Sequence, residues 1–249
     1  MSLIKIIPVN EFPSIHESDC GASYIVDLLF NLTKVIDGDI IVIAQKIISK
    51  IEGCSVKISD INPSETALQL AKEVDKDPRL VELILSESIR IVRSAPGVLI
   101  VETHHGFICA NAGIDRSNVF GDDIFLKLPE NPDRTAMEIR VRIKSLYGIE
   151  VGVIISDSFN RPWRKGSVNV ALGVSGINPL VDLRGTKDDV GKIMESSMVA
   201  IGDEIASAAQ LVMGESGGIP VAIVRGVKAD GSDVGWQVLK RPHSEDLFR

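Results

Sequence analysis

Short apolar runs alternate with stretches that carry helical spacing along most of the chain. The runs are only a few residues long, are rich in β-branched side chains and are bounded by turn formers, a pattern typical of buried strands. Strands are predicted at 3–9, 40–44, 89–94, 97–103, 107–110, 151–157 and 221–225.

Helices are indicated by apolar residues three and four positions apart and by capping residues. Asn131 followed by Pro132 favours a helix start, and Gly148 favours its end. Helices are predicted at 22–35, 45–51, 66–74, 78–87, 132–147 and 194–213. The stretch 158–192 predicts a loop with one possible strand at 168–174.

The predicted helices and strands alternate, except that the pattern in the middle of the chain predicts a β-hairpin. This favours an α+β or α/β fold, with a mixed, largely antiparallel β-sheet flanked by helices, over a pure dinucleotide-binding layout. No linker stands out by composition. We therefore expect one domain over 1–249, or two lobes with the active site between them.

The composition of the chain bears on whether it binds nucleic acid. Its 249 residues include 27 basic and 34 acidic side chains, which gives a net charge of −7. Only 4% of the residues are aromatic. Nucleic-acid binding needs clustered cations and stacking platforms, so this composition argues against it. Any phosphate chemistry would need a local site and a metal.

The cysteines and the lack of long apolar stretches bear on the cellular compartment in which the protein is expected. Cys20, Cys54 and Cys109 are far apart and predict reduced thiols, without a disulfide framework or zinc site. No apolar stretch reaches the roughly 20 residues of a membrane span, and the start lacks a signal-peptide pattern. We expect a cytoplasmic protein with no membrane partner.

Common nucleotide-binding motifs are absent from the sequence. There is no GxGxxG. The segment 185–192 departs from a phosphate-binding loop, because five residues separate its glycines and Ile193 stands where Ser or Thr should be. It predicts a solvated, charged start of a helix.

Four polar residues are candidates for metal binding. Asp157 and Ser158 follow an apolar strand, where α/β sheets place ligands. Asp115 lies in a turn-rich loop, and Glu215 lies in a glycine-rich segment between a helix and a strand. Oxygen donors of this kind suit Mg²⁺ or Mn²⁺. A capping or turn role is the alternative for each carboxylate.

Cations cluster near the same candidates. Arg161, Arg164 and Lys165 follow directly on Asp157, as a phosphate-binding site in an acidic protein would require. Lys46 and Lys50 lie one turn apart on a predicted helix, where a solvated face is the alternative. His104 and His105, at a predicted hairpin turn, are expected at the surface.

Four long segments, in this order, resemble one family, the coenzyme F420-0:L-glutamate ligases (gamma-glutamyl ligases). They are 38–53, 103–119, 156–177 and 213–226, and they span nearly the whole chain. The resemblance implies that family's fold. It also implies GTP-dependent amide formation between L-glutamate and the phospholactyl group of a deazaflavin, followed by a further gamma-linked glutamate.

The resemblance also implies ligands. One divalent ion, Mg²⁺ or Mn²⁺, is expected at Asp115 and Asp157, and a second at Ser158 and Glu215, together with a monovalent cation, K⁺. A homodimer and the short, archaeal form of the enzyme are implied as well. The GTP positions are Phe12, Pro13, Ser14, Ile15, Gln45, Lys46, Lys50, Asn118, Met213, Gly214, Glu215, Ser216, Gly217, Gly218, Ile219 and Pro220.

The expected mechanism passes through an acyl phosphate, with Arg161, Arg164 and Lys165 as the groups that contact the transferring phosphoryl. Two other functions remain open from the sequence. A two-metal phosphohydrolase would use the same carboxylates, and a nucleotide- or metal-sensing module would bind GTP without forming a product.

Overall fold

A computed structural model describes residues 3–16, 21–116, 121, 123–228 and 231–247. The helices are α1 (Gly21–Leu32), α2 (Gln45–Ile51), α3 (Glu65–Val74), α4 (Pro78–Ser86), α5 (Pro132–Tyr147) and α6 (Ile201–Met213). The strands are β1 (Lys5–Pro8), β2 (Ile40–Ala44), β3 (Ser55–Lys57), β4 (Ser88–Ala95), β5 (Val98–Thr103), β6 (Ile108–Ala110), β7 (Ile124–Leu126), β8 (Gly152–Arg161), β9 (Arg164–Ser175), β10 (Val181–Asp182), β11 (Met198–Val199) and β12 (Val221–Arg225).

A five-stranded sheet with the order β1-β12-β2-β8-β9 forms the centre of the structure. β2 and β8 pair in parallel, and the other three neighbouring pairs are antiparallel. The prediction of a mixed, largely antiparallel sheet flanked by helices is therefore confirmed.

Both faces of the central sheet are covered, which explains the continuous apolar runs of its inner strands. Ile41 and Ile43 of β2 belong to a core shared with α1, α2 and α5. Ile40 and Val42, the alternating positions, belong to a second core shared with α6 and Trp236. Side chains of successive strand residues point to opposite faces, so one short strand contributes to both cores.

A third core lies beside the sheet. Ile84 of α4, Val74 of α3, and Leu99 and Val101 of β5 are fully buried in it. They join the α3–α4 pair to a three-stranded sheet with the order β4-β5-β6. β3 pairs with β7, and β10 pairs with β11, in two small further sheets.

The prediction of a loop over 158–192 is wrong for its first part, up to residue 167. β8 continues to Arg161 and forms a hairpin with β9, which contains the predicted strand at 168–174. Residues 160–167 are exposed, so they lack the apolar alternation by which a strand is recognised. Pairing with the partner strand holds this part of the hairpin, and Trp163 and Gly166 take positive φ at its turn.

The helix predicted from Met194 begins only at Ile201. Met198 and Val199 instead form β11, paired with β10, although their spacing continues the apolar pattern of α6. The predicted charged helix start at 185–192 is also wrong, because this segment is a turn. The Asp188 carboxylate closes it by accepting hydrogen bonds from the backbone N–H groups of Val190 and Lys192. No helix within the described ranges is long and apolar enough to cross a membrane.

Candidate active site

The cleft that contains most of the predicted site residues lies where β2 ends. Ala44, its last residue, pairs with Ser156 of β8, and its N–H donates to the carbonyl of Pro220 at 2.9 Å. β8 continues beyond this point, whereas the chain of β2 turns into α2. Asp157 therefore has β9 on one side and the start of α2 on the other, which opens a crevice at this end of the sheet.

The cleft has a volume of about 450 Å³. Every described residue predicted to bind the nucleotide lines it, and so do Asp157 and Ser158. Asn118 lies outside the described residues. The predicted positions that line the cleft are Phe12, Pro13, Ser14, Ile15, Gln45, Lys46, Lys50, Met213, Gly214, Glu215, Ser216, Gly217, Gly218, Ile219 and Pro220.

Sheet register explains why segments distant in sequence meet here. The N–H of Val9, just after β1, donates to the carbonyl of Val221 at 2.9 Å, so the segment 12–15 leaves the sheet beside the start of β12. The glycine-rich loop 214–220 enters β12 at the same edge. The ends of β1 and β2 and the start of β12 therefore converge on one side of the molecule.

The short helix α2 contributes two cations to the cleft. Lys46 and Lys50 are one turn apart, and both side chains line the cleft. Burial lowers the pKa of Lys50, and the charge of Lys46 lowers it further. The charge of Lys46 thus disfavours the charged form of Lys50, and an anionic ligand beside the two side chains would offset this repulsion.

Three carboxylates, those of Asp115, Asp157 and Glu215, lie close enough to influence one another. Burial raises the pKa of Asp157 to about 6; the nearby charge of Lys46 opposes that rise, and those of Asp115 and Glu215 add to it. The Lys46 Nζ lies 2.7 Å from Asp115 Oδ2. Backbone hydrogen bonds in both directions with Leu126 hold Asp115 in place.

Ser158 and Glu215 lie on the α6 side of the cleft. Because strand side chains alternate, Asp157 and Ser158 point to opposite faces of β8. Ser158 is paired with Asn169 across the β8–β9 ladder. Glu215 lies on the exposed loop after α6, where the side-chain Nε2 of Gln210 donates to its Oε1 at 2.9 Å.

The donor set suits a hard divalent cation by its chemistry, because it consists of carboxylate and hydroxyl oxygens. In the part of the chain that the structure describes, no three His, Cys, Asp or Glu side chains are grouped closely enough to hold a metal ion. Lys46 provides the positive charge beside Asp115 in this arrangement. Asp157, Ser158 and Glu215 line the cleft, whereas Asp115 does not line it and contacts Lys46 from beside it. The four predicted ligands therefore do not form a preassembled cage.

The three predicted catalytic cations are not among the residues that line the cleft. Arg161, Arg164 and Lys165 are exposed at the tip of the β8–β9 hairpin, where Arg161 pairs with Arg164. A strand advances roughly 3.4 Å per residue, so Arg161 lies about 14 Å along β8 from Asp157. Their contact with a transferring phosphoryl group stays a prediction.

Five residues that line the cleft were not predicted as site residues, namely Ala44, Ile47, Ser156, Asn169 and Gln210, and the last two matter most for its chemistry. Asn169 is 4% exposed, and its Nδ2 donates to Gln210 Oε1 at 3.0 Å and to Ser156 Oγ at 3.3 Å. Asn169 interrupts an apolar run within β9, and a polar residue at a buried strand position was a usable signal. Gln210, on the cleft side of α6, carried no such signal.

Two smaller predictions have different outcomes. Cys54 and Cys109 are free thiols, as predicted, and Cys20 lies outside the described residues. His104 is exposed as predicted, but His105 is partly buried, and its Nε2 lies 2.8 Å from the carbonyl oxygen of Pro129. Neither histidine lines the cleft.

Comparisons with known proteins agree on one family. The family described as F420-0:Gamma-glutamyl ligase matches residues 10–226. The coenzyme F420:L-glutamate ligase of Methanocaldococcus jannaschii is 50% identical over 86% of this chain and 85% of that protein. Its counterpart in Methanothermobacter thermautotrophicus is 43% identical over 99% of both chains. The counterpart in Archaeoglobus fulgidus is 37% identical over 99% of this chain and 96% of that protein.

Proposed function

This chain belongs to the F420-0:gamma-glutamyl ligase family, and from that membership we propose that it joins L-glutamate to the phospholactyl carboxylate of coenzyme F420-0 by consuming GTP, and then adds a further gamma-linked glutamate. The observation that carries the use of a nucleotide is the cleft at the end of β2. There the paired lysines of α2, the glycine-rich loop that carries Glu215, and the carboxylate of Asp157 line one space.

The lysines and the loop would hold the GTP. Lys46 and Lys50 supply positive charge for phosphate oxygens in an otherwise acidic protein. The loop 214–220 has positive φ at Gly214 and Gly218, and its glycines let backbone N–H groups approach an anion closely. The segment 12–15 would close the other side of the nucleotide site.

Two divalent cations would be held on opposite faces of β8, with Asp115 and Asp157 on one face and Ser158 and Glu215 on the other. The alternation of Asp157 and Ser158 supports this division. Mg²⁺ or Mn²⁺, when bound, would neutralise phosphate charge and make the γ-phosphorus more electrophilic. In the ligand-free cleft, Lys46 forms an ion pair with Asp115 and would have to give up this contact when a cation binds. A K⁺ site is a further part of the proposal, supported by the family resemblance alone.

The reaction would proceed in two displacements. An oxygen of the F420-0 carboxylate attacks the γ-phosphorus, the bond to the β–γ bridging oxygen breaks, and GDP leaves. The glutamate amine then attacks the acyl carbon, phosphate leaves with the electron pair of the C–O bond, and the amine loses a proton. The chain contributes positioning and charge stabilisation, which is where most phosphoryl-transfer catalysis lies.

A homodimer is also part of the proposal. Trp163, at the tip of the β8–β9 hairpin, is 86% exposed, and tryptophan is enriched in protein–protein interfaces. Arg161, Arg164 and Lys165 lie at the same tip, outside the cleft of their own chain. In a dimer they would reach the cleft of the second copy and contact the phosphoryl group there.

Trapping with hydroxylamine tests this chemistry. Purified protein is incubated with GTP, Mn²⁺, F420-0 and hydroxylamine, without glutamate, and F420-0 hydroxamate and GDP are quantified. An acyl phosphate predicts equal amounts of the two products, and Asp157→Ala should abolish both. GTP loss without F420-0 or without hydroxamate would instead favour a phosphohydrolase. GTP binding with no product under any condition would favour a binding module.

A further inference from the structure

Glu215 lies on an exposed loop and still has a defined hydrogen-bond partner. The carbonyl of Gln210 accepts the N–H of Gly214 at 2.9 Å, which ends α6, and the Gln210 side chain reaches past this cap to Glu215. An exposed carboxylate on a glycine-rich loop would otherwise sample many orientations. Gln210 thus couples the carboxylate to the rigid end of a helix.

The side chain of Gln210 is itself held by Asn169. Asn169 Nδ2 donates to Gln210 Oε1 at 3.0 Å, and the Oγ of Ser207 donates to the Asn169 carbonyl at 2.8 Å. These contacts join the buried strand β9 to α6 and α6 to the loop. We call Asn169 and Gln210 the amide relay.

The charge of Glu215 sets the direction of this relay. A carboxylate only accepts hydrogen bonds, so Gln210 must present Nε2 to it and Oε1 to Asn169. Asn169 must then present Nδ2 to Gln210. Its Oδ1 is left buried with no hydrogen-bond partner in the described part of the structure.

The orientation of the Asn169 amide is informative, because only one orientation lets it donate to Gln210. Reversing the Asn169 amide would direct the oxygen at Gln210 Oε1 and break the connection to Glu215. The structure leaves a buried acceptor unpaired and keeps the orientation that holds Glu215.

We propose that Asn169 and Gln210 are positioning residues of the ligase reaction, which fix the Glu215 carboxylate in the orientation needed to bind a divalent cation. This inference rests on the proposed function, in which Glu215 is a metal ligand. Groups that orient a metal ligand commonly change metal affinity by 10- to 100-fold when they are removed.

The test is a double-mutant cycle read by Mn²⁺ affinity, measured in the absence of nucleotide by the electron paramagnetic resonance signal of free Mn²⁺. The variants are Gln210→Met, Glu215→Gln and the double variant. Leu211→Met, at an α6 position that is 81% exposed, is the matched control. Thermal unfolding of each variant shows whether the fold is kept.

The proposal predicts that Gln210→Met weakens the Mn²⁺ site that Glu215→Gln removes by about 10- to 100-fold. In the Glu215→Gln background the same substitution should have no further effect, because it acts through Glu215. Asn169→Leu should follow the pattern of Gln210→Met. Leu211→Met should bind Mn²⁺ like the wild type.

Two results would overturn the inference, and they differ from each other. If Glu215→Gln lowers Mn²⁺ affinity while Gln210→Met leaves it within about twofold, or if the two effects add, the amide relay has no positioning role. If Glu215→Gln itself leaves Mn²⁺ affinity unchanged, the metal assignment in the proposed function is wrong, and the inference falls with it.

Discussion

The Lys46 ammonium group lies 2.7 Å from the Asp115 carboxylate, within the region where the proposed function requires a divalent cation. The same lysine also stabilises the ionised form of Asp157. In the ligand-free cleft, Lys46 therefore supplies the positive charge that a metal ion would supply in the metal-bound cleft. A metal beside Asp115 would be repelled by this lysine unless Lys46 turned towards the nucleotide phosphates.

Replacing Lys46 with methionine should affect the two ligands in opposite directions. Mn²⁺ affinity without nucleotide should rise, because the competing cation is removed. GTP affinity should fall by about tenfold or more, because a charged contact to phosphate is lost. Titration calorimetry with each ligand measures both, and Lys144→Met, at an exposed position of α5, is the control. If the variant lost affinity for both Mn²⁺ and GTP, the idea that Lys46 and a metal ion compete for Asp115 would be contradicted.

The ionised carboxylate of Asp157 should lower the stability of the metal-free protein at neutral pH. Its pKa is raised in the folded state, to about 6, so the folded protein retains a proton that the unfolded chain loses from about pH 4 upwards. Stability therefore falls as pH rises through this window. Asp157→Asn should raise the free energy of unfolding by about 1–3 kcal/mol at pH 7 and by little at pH 4, while it abolishes ligation.

Urea unfolding at both pH values, in the presence of a chelator, measures this effect. Asp27→Asn, an exposed position on α1, should change neither value. A loss of stability for Asp157→Asn at pH 7 would show that the ionised carboxylate is satisfied by the protein itself.

The hairpin tip should act on the cleft of a second chain. Arg161→Ala and Asp157→Asn chains should each be inactive, by at least about a hundredfold for an arginine that contacts the transferring phosphoryl. Mixed and reassociated, they should form heterodimers with one intact site and recover ligase activity that neither has alone. Recovery fails if Arg161 acts within its own chain, and an active Arg161→Ala enzyme would remove this residue from the mechanism.

Gly173 should be essential to the packing of α5 on β9. A methyl group at this position would collide with the backbone of Pro132, at the first turn of α5. Gly173→Ala should therefore destabilise the fold by about 1–3 kcal/mol or more, because the backbone must move. Chemical unfolding measures the change. Gly231→Ala, whose methyl group would meet only an ordinary contact, should be close to neutral.

The sequence was sufficient for the parts of the fold that local patterns determine. The apolar runs of β2, β8 and β12 were predicted because they are buried on both faces, and α5 was predicted because Asn131, Pro132 and Gly148 mark its ends. The outer half of the β8–β9 hairpin was missed, because its polar, exposed residues are held by cross-strand pairing. Local spacing likewise extended α6 over Met198, where pairing with β10 prevails.

In the candidate site, too, local patterns predicted single residues but not the contacts between distant segments. Single residues such as Asp157 and Glu215 could be proposed from their places beside strands and glycines. Their juxtaposition depends on register, since Ala44 must pair with Ser156 for Lys46 to lie near Asp157. Asn169 and Gln210 could not be joined to Glu215 from the sequence, because their contacts link a strand, a helix and a loop.

The most direct test of the proposed ligase activity is mass spectrometry of the deazaflavin. F420-0 is incubated with the purified protein, GTP, L-glutamate and Mn²⁺, and GDP is quantified in the same samples. F420-0 should gain mass in steps of one glutamate residue, with one GDP formed per step and no gain when GTP is omitted. GTP consumption with the mass of F420-0 unchanged would contradict it.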